Sequence, residues 1–134
     1  MLQQSILFCI LSANSPAGHR LEQLARKLRA RASVQVVRHL DEVRAALLYR
    51  SHEIKAAVFF ASTRQDLLDL KTIWSLLQDI RTILILPDCE EETIAVAHTM
   101  RPRFISCGDR DIHDVEAVLG KMTGISIENG SMQI

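Results

Sequence analysis

The sequence predicts an α/β fold in which helices cover both faces of a five-stranded parallel sheet. Five short apolar runs alternate with five segments of helical period along a chain of 134 residues, a length typical of one domain. Most of the apolar runs are continuous, as expected for strands buried on both faces. Parallel neighbours need a crossover connection, so we expect the flavodoxin-like (βα)5 arrangement with strand order 2-1-3-4-5.

The five predicted strands share a content of Val, Ile, Leu, Ala and Phe. The run at Val34 is the weakest of them and indicates an edge strand. The predicted strands are 5–11, 34–37, 56–60, 82–86 and 104–107.

The helices are predicted from apolar residues spaced three and four apart. Ser15 and Pro16 mark the start of helix 1. Helix 2 follows Asp41, and helix 3 follows Thr63. The residues expected to face the core are Leu21, Leu24, Ala25 and Leu28 in helix 1, Val43, Ala46 and Leu47 in helix 2, and Leu67, Leu70, Trp74 and Leu77 in helix 3.

Helices 4 and 5 complete the predicted alternation. Asp88 is expected to cap helix 4, with Glu91 three residues later as in a capping box. Helix 5 is expected to end near Gly124. The inward residues are Ile94 and Ala97 in helix 4 and Ile112, Val115, Leu119 and Met122 in helix 5. We expect one domain over 1–124, with 125–134 as a tail or the start of a linker.

Composition narrows the class of function. Sixteen basic residues balance sixteen acidic ones, so the chain lacks the positive field that sequence-independent nucleic-acid binding needs. The apolar run at 6–11 is too short to span a bilayer. Three widely spaced cysteines without a C-x-x-C pair favour a reduced, cytoplasmic protein. We therefore expect no direct contact with nucleic acid or membrane.

The order and lengths of the elements, and the passage 97–108 (AHTMRPRFISCG), are similar to those of a bacterial response-regulator receiver domain. The resemblance covers residues 5–124. It implies a signalling module whose chemistry lies at the carboxyl ends of the strands. A working receiver has an acidic pair for Mg²⁺ after strand 1, a phospho-accepting Asp ending strand 3, a hydroxyl ending strand 4 and a Lys ending strand 5.

Each of these receiver positions holds an unsuitable residue in this chain. The acidic pair falls on Ser12 and Ala13, the acceptor on Ala61, the hydroxyl on Pro87 and the Lys on Cys107. The resemblance thus predicts a degenerate pseudo-receiver that is not phosphorylated and is not an enzyme. Phe104 takes the place of the family's aromatic switch residue, although a plain core role for it is the better interpretation.

Other candidate groups at the same edge have ordinary structural interpretations. Ser62 and Thr63 are candidate phosphorylation sites for another kinase, but a helix-capping role is favoured. Cys89 and Cys107 are expected to lie close enough for a redox pair or metal site, but structural or incidental cysteines are favoured. Cys9 is expected in the core. The scattered histidines match no ligand or catalytic motif; they are His19, His39, His52, His98 and His113.

Two charged segments also have plain interpretations as solvated surface. Helix 1 and its end carry basic residues, and an acidic partner surface is the sharper alternative. The run Glu90 to Glu92 suits the positive end of the helix 4 dipole. The basic residues are Arg20, Arg26, Lys27, Arg29 and Arg31.

The sequence therefore predicts a regulatory protein–protein interaction module in signal transduction or transcription regulation, within a two-component system. We expect no cofactor and no metal, because the loop 14–18 is no phosphate-binding loop. The expected partner is a protein, with a homodimer through helix 4, strand 5 and helix 5 as one form. The alternative is a small-molecule sensor or enzyme using Asn14, Ser62, Asp88 and Asp109. A third interpretation is the N-terminal domain of a longer regulator or kinase.

Overall fold

Five parallel strands form one sheet in the order β2-β1-β3-β4-β5, which confirms the predicted flavodoxin-like (βα)5 fold. The computed structural model describes residues 5–11, 15–107 and 112–124. The strands are Ser5–Ile10 (β1), Ser33–Val37 (β2), Ile54–Phe60 (β3), Arg81–Leu86 (β4) and Phe104–Cys107 (β5). The weak run at Val34 is indeed an edge strand, and β5 forms the other edge.

Helices follow the strands in strict alternation. They are Pro16–Leu28 (α1), Leu40–Arg50 (α2), Arg64–Ile73 (α3), Glu91–Met100 (α4) and Ile112–Thr123 (α5), with short 3₁₀ turns at Ser51–Glu53 and Trp74–Leu77. The Ser15 hydroxyl accepts a hydrogen bond from Gly18 N at 3.1 Å, so helix 1 begins as predicted. Gly124 follows α5 with a φ of 73°, a left-handed conformation that ends a helix at little cost.

Alternate residues of the strands pack into two separate cores. Ile6, Phe8 and Ile10 of β1 face the layer that contains α1 and α5. Leu7 and Cys9 face the layer that contains α2, α3 and α4. Because both faces of β1 are fully buried, its last five residues, 6–10, form one continuous apolar run. Polar chemistry can therefore collect only at the ends of the strands.

Two helices, α2 and α4, do not begin where the sequence predicts, because nearby side chains make other hydrogen bonds. Asp41 lies inside α2, because Glu42 Oε1 accepts hydrogen bonds from Arg38 N and His39 N and so begins the helix earlier. The predicted capping box of Asp88 and Glu91 is absent. Instead α4 begins at Glu91, and Asp88 Oδ1 accepts from Glu90 N at 2.9 Å.

The end of helix 3 and the inward face of helix 4 also differ from the prediction. The backbone N–H of Trp74 donates to Lys71 O, which tightens the chain after Ile73 into a 3₁₀ turn. The Trp74 ring packs edge-on against Phe59, with centroids 5.1 Å apart. Ile94 is half-buried and packs against the core as predicted, and the unpredicted Thr93 and Met100 extend the inward face of α4. The buried residues of α4 are Thr93, Ala97 and Met100.

No helix among the described residues has the length and apolar character needed to cross a bilayer. The expected domain boundary at 124 stays a prediction, because residues 125–134 lie outside the part of the chain that the structure describes.

Adjacent leucines of α3 test the assignment of its buried face. Leu67 is fully buried, whereas Leu68 is 43% exposed on the same helix. We expect Leu67→Ala to lower the free energy of unfolding by about 2–5 kcal/mol, because it removes buried methyl groups and leaves a cavity. Leu68→Ala, the matched control, is expected to cost less than about 1 kcal/mol. Urea unfolding measures both; equal losses would contradict the assignment.

Candidate functional site

The carboxyl ends of the strands carry the positions that correspond to a receiver's active site. Ala61 follows β3 and is fully buried; its N–H donates to Ile85 O at 3.0 Å and so extends the sheet ladder. Pro87 follows β4 and is half-buried, and Cys107 is the last residue of β5. Ser12 and Ala13 lie outside the described residues, as do Asn14 and Asp109. The assigned roles of these positions stay predictions.

The first carboxylate after Ala61 in the sequence, Asp66, caps α3. Asp66 Oδ2 accepts hydrogen bonds from Ser62 N at 3.1 Å, Ser62 Oγ at 2.8 Å and Thr63 N at 3.2 Å. In return, the Thr63 hydroxyl accepts from Asp66 N at 3.0 Å, which completes a capping box. Ser62 and Thr63 thus have the capping role that the sequence favoured.

Arg64 connects the starts of α3 and α4 across this edge. Its guanidinium donates to Glu90 Oε1 at 2.7 Å, to Glu92 Oε1 at 3.1 Å and to the Thr93 hydroxyl at 3.2 Å. A cation in the first turn of a helix is disfavoured by the helix dipole, and the two glutamates offset that cost. The run Glu90 to Glu92 is therefore more than a dipole-matched surface.

Asp88 belongs to the same network. A hydrogen bond from the Thr93 hydroxyl lowers the pKa of Asp88 most, followed by the bond from Glu90 N and the charge of Arg64. Thr93 therefore joins Arg64 to Asp88 through one buried hydroxyl. This network links the loop after β4 to the starts of α3 and α4. Asp88 is therefore engaged in hydrogen bonds and is not a free ligand for a metal ion.

Sequence reasoning missed Arg64, because its partners lie 26–29 residues away. One signal was present in the sequence. An arginine directly after the capping residue Thr63 is unfavourable next to a helix N-terminus, so it calls for nearby acidic partners.

A disulfide bond joins Cys89, in the loop before α4, to Cys107 at the end of β5. The Cα atoms are 5.4 Å apart and the residues are separated by 18 positions in sequence. The expected proximity of these two cysteines is confirmed, whereas the expectation that they are reduced is wrong. Closing a loop of this length stabilises a fold by about 3 kcal/mol in the chain-entropy model. Cys9 is a free, fully buried thiol, as the sequence predicts.

The remaining candidates contribute no further site at this edge. Among the described residues, no cluster of three or more His, Cys, Asp or Glu side chains is arranged to hold a metal ion. Phe104 is half-buried against the core beneath α1 and α5. Lys27 pairs with Glu116 Oε2 at 2.8 Å, so one cation of the basic helix 1 binds within the domain.

A cleft of about 870 Å³ lies at the amino ends of β4 and β5, between the end of α3 and the end of α4. Leu77 and Met100 form part of its apolar floor, and Lys71, Arg101 and Arg103 line it with positive charge. Arg101 ends α4 in the left-handed conformation, with a φ of 54°. The sequence analysis did not single out this cleft, because its residues come from four separate segments.

Comparison with known proteins gives a structural neighbour but no family. No protein-family model matches the chain, and no curated protein sequence matches it. A crystal structure from Burkholderia pseudomallei, described as a "putative pilus assembly-related protein", is similar in fold. Its TM-score is 0.64 at 15% sequence identity, and the match covers 91% of this chain and 90% of that one. The likeness covers most of both chains and shows that they share a fold.

The lowered pKa of Asp88 predicts a dependence of stability on pH. Because the folded pKa lies below the unfolded value, the ionised carboxylate stabilises the fold above the unfolded pKa. That contribution is lost as the pH falls through the folded pKa. We expect wild-type protein to lose more stability than Asp88→Asn between about pH 6 and about pH 3.

Urea unfolding across this pH range measures the difference. The control is Asp79→Asn, which removes an exposed carboxylate that lines the cleft at the amino ends of the strands. This variant should follow the wild-type curve. Parallel curves for wild type and Asp88→Asn would show that the Thr93 and Glu90 bonds do not favour the ionised form.

Proposed function

We propose that this protein is a pseudo-receiver: a regulatory domain that acts by binding a protein partner and is not phosphorylated at the receiver position. The observation that supports the proposal most directly is the presence of Ala61 at the acceptor position. The receiver-like sheet is complete, yet the residue after β3 is a buried alanine whose N–H serves the sheet ladder. An aspartate acceptor is thus replaced by a residue that cannot form an acyl phosphate.

The groups around Ala61 support the same proposal. Metal binding for phosphotransfer needs carboxylate oxygens that are free to leave their hydrogen bonds. Asp66 accepts three hydrogen bonds at the start of α3, and Asp88 is held by Thr93 and Glu90. The same commitments argue against the alternative of a sensor or enzyme that uses Ser62 and Asp88.

The surface formed by α4, β5 and α5 is the proposed interaction face. Strand β5 is an edge strand of four residues, so among the described residues one side of its backbone has no neighbouring strand. Phe104 and Ile105 are only half-buried on it, and Ala95 and Ala117 are exposed on the flanking helices. We propose a homodimer through this face, acting in signal transduction. The structural neighbour is described as pilus assembly-related, so we propose pilus assembly as a candidate process for this protein.

Phosphotransfer is tested directly with acetyl phosphate and Mg²⁺. We expect the intact mass of the protein to stay unchanged, because Ala61 offers no acceptor oxygen. A receiver domain with its aspartate present serves as the positive control. A stoichiometric phosphoryl adduct would contradict the proposal, and peptide mapping would identify the acceptor.

Three matched alanine-to-arginine variants test the interaction face. Ala95→Arg and Ala117→Arg place a charge on α4 and α5, and Ala45→Arg makes the same change on exposed α2. We expect sedimentation to show a wild-type dimer that both face variants weaken by at least about tenfold, since burying an unpaired charge costs more than 1.4 kcal/mol. Ala45→Arg should leave it intact.

Two results would contradict the assignment of this face. A wild-type monomer at all concentrations would exclude the homodimer. Loss of the dimer in Ala45→Arg alone would move the interface to α2, where Leu48 and Tyr49 are each 78% exposed.

A further inference from the structure

The disulfide between Cys89 and Cys107 differs from a buried structural bridge in its exposure. Cys89 is exposed in the loop between β4 and α4, and Cys107 is half-buried at the end of β5. Cys89 is therefore more accessible than Cys107 to a thiol from solution, and access is one of the factors that set the rate of exchange. Exposed disulfides are the labile ones, whereas those enclosed in a core resist reduction.

The third cysteine provides an internal contrast. Cys9 lies in the middle of β1 with no exposed surface, and burial, reinforced by the charges of Glu42 and Asp66, raises the pKa of its thiol to about 12. It is therefore unreactive near neutral pH, because the thiolate is the nucleophile. Reversible thiol chemistry in this protein is confined to one pair of sulfurs.

We propose that Cys89 and Cys107 form a reversible thiol–disulfide exchange site whose reaction partners are low-molecular-weight thiols such as glutathione. A glutathione thiolate attacks Cys89 Sγ, the protein S–S bond breaks, and Cys107 leaves as a thiolate that takes up a proton. A second glutathione attacks its counterpart in the mixed disulfide and releases Cys89. The products are two protein thiols and one glutathione disulfide, and oxidised glutathione reverses both steps.

The structural consequence of exchange is local. Neither sulfur belongs to the fully buried core, and the Arg64 bonds to Glu90 and Glu92 do not involve the bridge. We therefore expect the domain to stay folded in both states, with the reduced form less stable by the loop-closure free energy that the bridge contributes. What changes is the link between the loop before α4 and the last residue of β5, the edge strand.

This link lies at one end of the face formed by α4, β5 and α5, where the loop before α4 meets the end of β5. Its use to regulate partner binding rests on the proposed function, whereas the exchange chemistry does not. The two are distinguishable, because exchange is measured on the protein alone and a failed dimer test leaves that measurement intact.

The central experiment equilibrates the full chain, without denaturant, in mixtures of reduced and oxidised glutathione. Free thiols are then alkylated, and peptide masses report each cysteine. We expect Cys89 and Cys107 to convert together between thiols and disulfide, reaching the same ratio from either starting state. Cys9 should stay a thiol throughout, and far-ultraviolet circular dichroism should not change.

Two outcomes overturn the proposal. A bridge that excess reduced glutathione opens only after guanidinium unfolding is a structural disulfide. A pair that oxidised glutathione leaves as two thiols, or converts only into two mixed disulfides, does not form the bridge.

Single substitutions test which sulfur is attacked. Cys107→Ser leaves the exposed Cys89, and Cys89→Ser leaves the half-buried Cys107. With oxidised glutathione we expect the first variant to form its mixed disulfide roughly tenfold faster, since exchange rates follow access. Circular dichroism confirms that each variant is folded. Equal rates, or a faster Cys89→Ser, would overturn the assignment of Cys89.

Discussion

Helices bury the sheet on both faces, and this constraint decides where the accessible chemistry of the protein lies. The central strands β1, β3 and β4 consist almost entirely of apolar residues with less than a tenth of their surface exposed. A polar side chain within them would lose its hydration without gaining a partner. Charged and reactive groups are therefore displaced to the loops that follow the strands, as in other parallel α/β folds.

At the carboxyl edge these displaced groups bind to one another. Arg64 at the start of α3 contacts Glu90 and Glu92 at the start of α4, and Thr93 joins the same cation to Asp88. The disulfide then joins the loop before α4 to the end of β5. Where a phosphotransfer domain needs free carboxylates and an acceptor, the residues of this edge that the structure describes form caps, ion pairs and a covalent bridge.

Features that depend on residues close in sequence could be predicted, and those that depend on distant pairs could not. The strands were predictable because burial on both faces produces continuous apolar runs, and the start of α1 followed from Ser15 and Pro16. The predicted start of α4 was wrong, because the Glu90 side chain binds Arg64, a residue 26 positions away. The disulfide was missed because neither the spacing nor the odd number of cysteines identifies a pairing.

Unlike the disulfide, the missing phospho-acceptor could be predicted from the sequence, because the absence of a carboxylate after β3 is evident once the strand is placed. The central claim is that the carboxyl edge is committed to its own internal bonds. Amide NMR of the oxidised protein, titrated with Mg²⁺ and beryllofluoride, tests this most directly. The account predicts no saturable shift changes at residues 61–63 or 86–90, whereas saturable changes confined to those amides would contradict it.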